Sequence, residues 1–307
     1  MKKIVVFGSF FVDLAARAPK FPVPGETVHG SSFQIGSGGK GSNQAIAAQR
    51  AGADVTFITK VGADEFGRMA REVYSREGMD TRYILVDETA STGTALIVVE
   101  ESGQNMIVIT SGACGRISEA DIAAVTPVLE QADLLLLQLE VNFDAVKRAA
   151  ALAKQSGARV ILNPAPAREL PDSLLSLVDI ITPNESEAAL LTGIPVKGPE
   201  DAKKAAAVFF EKGMQGVVIT LGKQGAYVAD RGRGEYLPCI PMKAVDTTGA
   251  GDAFNGGFVM ALAQGADIFE AARYGNVCGT LSVTKQGAAA SAPYRQEILK
   301  LYEENYG

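Results

Sequence analysis

Ala244-Val245-Asp246-Thr247-Thr248-Gly249-Ala250-Gly251-Asp252-Ala253-Phe254 is the stretch on which the fold and chemistry of this chain turn. Its Gly-Ala-Gly core permits a tight turn with exposed amides, and the apolar run after Asp252 has helical character. The first N–H groups of a helix have no partner within it, and the helix dipole is positive there, so this turn makes an anion hole. A carboxylate in the first turn can stand beside a phosphoryl group and accept a proton from an attacking hydroxyl. A plainer reading makes Asp246 a helix cap and Asp252 a dipole-stabilising acid, but a generic cap does not require those glycines.

Outward from this stretch, short β-branched runs alternate with longer amphipathic ones almost from end to end. Strands are expected at 3–7, 55–61, 134–137, 160–162, 180–181 and 216–220. Helices are expected at 39–51, 65–77, 119–130, 143–156, 199–212 and 250–263, with Ser118 as an N-cap. Such alternation predicts parallel strands joined by crossover helices, an α/β fold. Segments 21–35 and 91–110 break the pattern with strand and hairpin signals and no helix between them. In the second, 94–99 and 106–109 flank the turn-prone Glu101-Ser102-Gly103-Gln104-Asn105. Ala95 to Val99 is apolar at every position, which predicts a β flap that covers a site with one face and meets another subunit with the other. A strand buried in its own domain explains the same periodicity.

Composition bounds the rest. With 307 residues, 47% of them hydrophobic, the chain can bury one large α/β domain or two small ones. A formal charge of -6 provides no basic field, so nucleic acid and anionic membrane are excluded as partners. The three cysteines, Cys114, Cys239 and Cys278, lie far apart without CxxC spacing and suit a reducing compartment. His29 is the only histidine, which rules out a two-histidine metal site. Met1-Lys2-Lys3 followed by 4–12 has the layout of a secretory leader, but Gly8-Ser9 and Asp13 interrupt it, and a buried first strand explains it better. No apolar run approaches the ~20 residues that span a bilayer, so a cytoplasmic location is expected.

Asp246 to Phe254 resembles the signature of the ribokinase-like (pfkB) carbohydrate kinases, and the resemblance covers nearly the whole chain. Gly36-Ser37-Gly38-Gly39-Lys40-Gly41-Ser42-Asn43-Gln44 resembles that family's other signature. It is not a P-loop, because Gly41 follows Gly-Lys, and Gly8-Ser9-Phe10-Phe11 lacks the dinucleotide glycine spacing. The resemblance implies one domain over 1–307, a three-layer αβα fold with a mostly parallel central sheet, and a small β-sheet lid from segments 13–36 and 91–111. It implies an ATP-dependent kinase of a pentose, ribose first, that forms a homodimer through the lid.

By the same resemblance, Asp13 at the end of the first strand, Gly39, Lys40, Gly41, Ser42, Asn43 and Glu140 line the sugar pocket. Asp252 is then the base, with the amides of Gly249, Ala250 and Gly251 as the anion hole. Asn184, Thr220, Leu221, Gly222, Lys223, Gln224, Gly225 and Asn276 would meet the nucleotide, and Glu187 the Mg²⁺ shell. Asp246, Thr248, Ser282, Lys285, Gly287 and Ser291 would supply oxygens to a monovalent cation, K⁺ by expectation. Taken without the family, Asn184-Glu185-Ser186-Glu187 is an ordinary helix start and Thr220 to Gly225 a simple turn. Phe11 stands where ribokinases have Asn, and similar enzymes acting on 2-deoxyribose have an apolar residue there. That keeps 2-deoxyribose open as the substrate, and an idle sugar or nucleotide sensor on a kinase scaffold remains the alternative of a different class.

Overall fold

In the computed structural model, which describes residues 2–307, the chain opens with β1 (Ile4–Phe7), buried along its whole length. It then leaves the main sheet for β2 (Phe11–Arg17) and β3 (Ser32–Gly38), returns through helix α1 (Lys40–Arg50), and adds β4 (Val55–Gly62), α2 (Glu65–Arg76) and β5 (Ile84–Asp87). A second excursion makes the hairpin β6 (Gly93–Val99) and β7 (Asn105–Thr110). From α3 (Glu119–Leu129) strands and helices alternate: β8 (Leu134–Leu137), α4 (Phe143–Gln155), β9 (Arg159–Leu162), α5 (Asp172–Leu175) and β10 (Ile180–Ile181). Then come α6 (Glu185–Thr192), α7 (Pro199–Glu211), β11 (Gly216–Thr220), β12 (Gly225–Asp230) and β13 (Gly234–Pro238). Three helices finish the chain: α8 (Ala250–Gln264), α9 (Ile268–Ser282) and α10 (Arg295–Tyr306).

The large sheet runs β13-β12-β11-β10-β9-β8-β1-β4-β5. It is parallel from β5 to β11, and only the β12 and β13 edge is antiparallel. Parallel strands are covered on both faces, which explains why β8 reads Leu-Leu-Leu-Leu with no polar break. Side chains alternate between the layers. Ile4, Val6, Leu134 and Leu136 pack with Ile46 of α1, Phe258 of α8, Ala271 of α9 and Ile298 of α10. Val5, Phe7, Leu135 and Leu137 pack with Val125 of α3, Val146 of α4 and Phe209 of α7. Each such side chain stabilises the fold by roughly 1.5–3 kcal/mol, and truncating Leu136 to Ala would cost about 2–5 kcal/mol.

The small sheet has the order β3-β2-β6-β7, with β2 and β6 parallel and the outer pairs antiparallel. Asp13 therefore does not end the first strand, as its sequence position suggested, but sits inside β2. The chain leaves the main sheet after Phe7, through Gly8. A Cβ there would fall 2.1 Å from Gln138 Oε1 and 2.9 Å from Gly41 Cα, so only glycine fits at this close approach. Register aligns Ile35, Leu14, Leu96 and Val108 across one face of the small sheet, and Phe33, Ala16, Val98 and Met106 beside them. Asp13 lies on the opposite face, in line with Gly36, Ala95 and Ile109.

Candidate active site

Helix α8 starts at Gly249, whose φ of +76° is left-handed. A Cβ there would fall 2.8 Å from Ala288 Cα, so both the conformation and the close approach demand glycine. No side chain caps this terminus. The Ala250 amide leans on Thr247 O at 3.3 Å, which leaves the amides of Gly251 and Asp252 as the open donors of the cradle. Asp252 is 7% exposed, and its two carboxylate oxygens accept from Asn43 Nδ2 and Gln44 Nε2, both at 2.9 Å.

Helix α1 delivers those donors. Gly39 has a φ of +88°, and a Cβ on it would meet Phe11 N at 2.9 Å; one on Gly41 would meet Ser9 N at 2.6 Å. These glycines let α1 lie directly against the turn between β1 and β2. The Lys40 amide and the Ser9 hydroxyl donate to Glu140 Oε2, at 2.7 and 2.6 Å, which leaves Oε1 of Glu140 for a ligand. Asn43 Oδ1 is buried without a partner. Leaving an acceptor unpaired costs about 1–3 kcal/mol, so a donor from a ligand would be favoured there.

The acids share one field. Burial first, and then the charges of Glu140 and Asp252, push the Asp13 carboxyl up to about 6. Burial also raises Glu140, against the pull of Lys40. The Lys40 ammonium is held above its ordinary value, chiefly by Asp252. Lys40 lines a cavity of about 190 Å³ together with Asn163, Glu187, Thr247, Gly249 and Gly251. Its side chain is therefore directed to the anion cradle, whereas the sequence placed Lys40 with the sugar.

One other sugar-side residue turns its polar group away from a ligand. Ser42 is fully buried, and its hydroxyl accepts from Tyr74 OH at 2.7 Å, because its position on α1 faces the core. Phe11 shares the Asp13 face of β2 by the two-residue period, but it is only 2% exposed and its ring fills the space that Gly93 leaves on β6.

A groove of about 600 Å³ adjoins the cradle and shares Asn184, Thr220, Thr247, Ala250 and Gly251 with the smaller cavity. Gly222, Lys223 and Gly225 form one wall, and Ile240, Met242, Phe254 and Val283 form apolar surfaces suited to a planar base. Asn276 lines it too, with its Nδ2 donating to Pro238 O and Tyr306 OH, so its oxygen remains for a ligand. Leu221 is 1% exposed and points into the core, and Gln224 turns out to donate to Lys197 O at 3.1 Å, so neither side chain belongs to the groove.

Asn184 is the N-cap of α6, in a reciprocal capping box with Glu187. Both Glu187 oxygens accept from Asn184, at 2.9 and 3.0 Å, and burial raises the Glu187 carboxyl. No group of three or more His, Cys, Asp or Glu among the described residues can hold a metal ion. A divalent cation in this cavity would need phosphate oxygens for most of its ligands. Asp246 accepts from the amides of Thr248 and Gly287, at 2.9 and 3.0 Å, and so ties the turn before α8 to the loop 283–291. Lys285 Nζ is bound to Glu297, and the Ser291 hydroxyl donates to Ala288 O. The donors left in this loop are mostly uncharged oxygens, the set that suits a large monovalent cation.

Gln44, Asn163, Thr247 and the apolar groove wall were not singled out by sequence. Gln44 stood in the quoted Gly36 to Gln44 stretch and Asn163 opens Asn163-Pro164-Ala165-Pro166, but an amide side chain alone carries no chemistry that spacing reveals.

A family model described as pfkB family carbohydrate kinase matches residues 1–295. The chain is 46% identical to a ribokinase of Haemophilus influenzae over 302 residues, covering 98% of this chain and 99% of that one. It is 38% identical to a deoxyribokinase of Salmonella typhi, covering 94% and 95% of the two chains. Among solved structures, an Arabidopsis thaliana ribokinase complexed with ribose and ATP superposes with a TM-score of 0.91 at 31% identity, covering 98% of each chain.

Proposed function

The chain belongs to the pfkB family of carbohydrate kinases, phosphotransferases with an alcohol acceptor, and we propose that it transfers the terminal phosphoryl group of ATP to D-ribose, forming ribose 5-phosphate. The observation that carries this reading is the placement of Asp252. Its carboxylate sits one residue past the free Gly251 amide, in the cavity of the anion cradle that adjoins the groove with apolar walls, and in the field of Asp13 and Glu140.

Phosphoryl transfer passes through a loose, charge-dispersed transition state, so the protein's work is positioning and electrostatics. Asp13, the free oxygen of Glu140 and the unpaired Asn43 Oδ1 offer acceptors to sugar hydroxyls. Asp252 takes the proton of the attacking hydroxyl as the new O–P bond forms and the bond to ADP breaks. The amides of Gly251 and Asp252, together with Lys40, face the charge that develops on the transferred group. A carboxylate needs no histidine helper at neutral pH. The lid face carrying Asp13 excludes water and so protects the phosphoryl donor from hydrolysis.

Glu187 and the phosphates would hold Mg²⁺, which neutralises phosphate charge. The carbonyls of Ser282, Lys285 and Gly287, the Ser291 hydroxyl and the Asp246 to Thr248 turn would hold K⁺, stiffening the turn that presents the cradle. The exposed side chains of Phe33, Ile35, Leu96, Met106 and Val108 on one face of the small sheet would pair two copies of the single 1–307 domain through their lids. Cytoplasmic work suits three cysteines that are all free.

A second substrate is favoured by one observation. Phe11 brings no polar group to the Asp13 face, so a sugar lacking a hydroxyl there would strand nothing. Measuring kcat/KM for ribose, 2-deoxyribose, fructose and nucleosides decides it: ribose leads by this reading, and a hexose or nucleoside preference overturns the pentose assignment. Sugar-dependent ADP release distinguishes the kinase from a sensor. In Asp252→Asn, turnover falls by roughly 10²-fold or more, the scale of general base catalysis, while both substrates still bind. Near-normal turnover of the folded variant removes Asp252 from its role.

A further inference from the structure

Behind the carboxylate runs a circuit of buried hydrogen bonds, and three of its members, Asn163, Thr182 and Asn255, also line the cavity of the anion cradle. Gln44 Nε2 donates to Asp252 Oδ1 and to Asn163 Oδ1, both at 2.9 Å. Asn163 Nδ2 donates to Thr182 O at 2.9 Å, and the Thr182 hydroxyl donates to Asn255 Oδ1 at 2.7 Å. Asn255 Nδ2 donates to Gly251 O at 2.8 Å, which returns the circuit to the residue before Asp252. A branch runs from Gln138 Nε2 to Gln44 Oε1 at 2.6 Å. None of these side chains is more than 7% exposed.

Topology gathers them. Gln138, Asn163 and Thr182 each follow the last residue of a neighbouring strand, β8, β9 and β10. Gln44 and Asn255 reach the same level from α1 and α8. The C-terminal edge of a parallel sheet is where such folds build their sites.

The circuit has a direction. An ionised Asp252 only accepts, so it fixes the nitrogen of Gln44 toward itself and the oxygen toward Gln138. Asn163 must then accept from Gln44 and donate to Thr182. A buried chain with one allowed orientation is rigid when complete and costly when interrupted.

We propose that Gln44, backed by Asn163, Thr182 and Asn255, is a positioning residue that locks the Asp252 carboxylate and the amide cradle of α8 into one unit. The proton acceptor and the anion hole then keep a fixed relation throughout phosphoryl transfer. This rests on Asp252 being the base. Were the circuit only cement between sheet and helices, its loss would lower stability and leave turnover per folded molecule alone.

The test is a double-mutant cycle on the full chain with saturating ATP and ribose. Gln44→Met preserves length and removes both polar ends, and Asn255→Ala opens the far side. Losing a hydrogen bond to a charged group lowers kcat roughly 10- to 100-fold, with the KM of each substrate within about threefold. Gln44 and Asn255 share no bond, so independent effects would multiply. A loss in the double variant clearly smaller than the product supports transmission through the circuit. Unchanged kcat with only a lower Tm, or strictly multiplicative losses, overturns it. If Gln44→Met does not fold, Asn163→Asp keeps the acceptor for Gln44 and removes the donor to Thr182; a fall in kcat at constant KM is expected, and unchanged kcat refutes the idea. Asp252→Asn run in parallel distinguishes the failures. If it retains turnover, the base assignment falls; if it is inactive while Gln44→Met turns over normally, only the circuit falls.

Discussion

Asp13→Asn should make the protein more stable and less able to bind its sugar, and the balance should depend on pH. The Asp13 carboxyl rises from an ordinary 3.8 to about 6 in the fold, first from burial and then from the charges of Glu140 and Asp252. Between those two values the folded state holds a proton that the unfolded chain has released, so stability falls as pH rises through that window. Above it the ionised carboxylate destabilises the fold by about 3 kcal/mol, from roughly two units at 1.36 kcal/mol each. Asparagine has the same shape and no charge to desolvate. Shape matters, because the carboxylate lies so close to Gly38 that a Cβ there would fall 2.2 Å from Oδ1. Thermal unfolding should show Tm of Asp13→Asn above wild type by roughly 4 °C at pH 7. The gain should shrink to about half near pH 5 and to under about 1 kcal/mol near pH 4, where the carboxyl of the unfolded chain also begins to take up its proton. Sugar KM should rise in the same variant. A Tm gain constant from pH 4 to pH 7, or a variant less stable at pH 7, refutes the electrostatic argument.

Wild-type sugar KM should itself rise as pH drops below about 6, since protonation removes acceptor capacity from Asp13; a flat sugar KM down to pH 5 contradicts this. Gly249→Ala forces a side chain into left-handed backbone and against Ala288, at a cost of about 1–2 kcal/mol for the backbone alone. Turnover should fall more than tenfold, with sugar KM little changed; near-wild-type turnover would show that the cradle tolerates displacement. Val108→Lys places a charge in the outer row of the small sheet and should give a monomeric mass where wild type gives a dimer. A wild-type protein that is already a monomer removes the lid pairing.

The α/β alternation was legible because parallel strands buried on both faces leave long apolar runs, and because turn residues bracket them. The cradle was legible too, since two acids around Gly-Ala-Gly make one local structure. What escaped was set by packing between distant segments. Nothing local reveals that the chain leaves the main sheet after Phe7 and that Phe11 opens a second strand, so the sequence puts Asp13 at the end of the first one. Leu221 and Ser42 sit inside motifs whose backbone matters, yet their side chains belong to the core. Lys40 lines the cradle cavity beside Asp252, a residue 212 positions further along the chain. The Gln44 to Asn255 circuit joins five segments by side-chain amides, which no spacing rule can assemble.

A crystal structure of the wild-type protein with ribose and a non-hydrolysable ATP analogue tests the central claim most directly. The terminal phosphate should lie within hydrogen-bond reach of the Gly251 and Asp252 amides, with one sugar hydroxyl about 3 Å from the Asp252 carboxylate. A terminal phosphate held elsewhere in the groove, or a carboxylate out of reach of every sugar hydroxyl, would contradict the account.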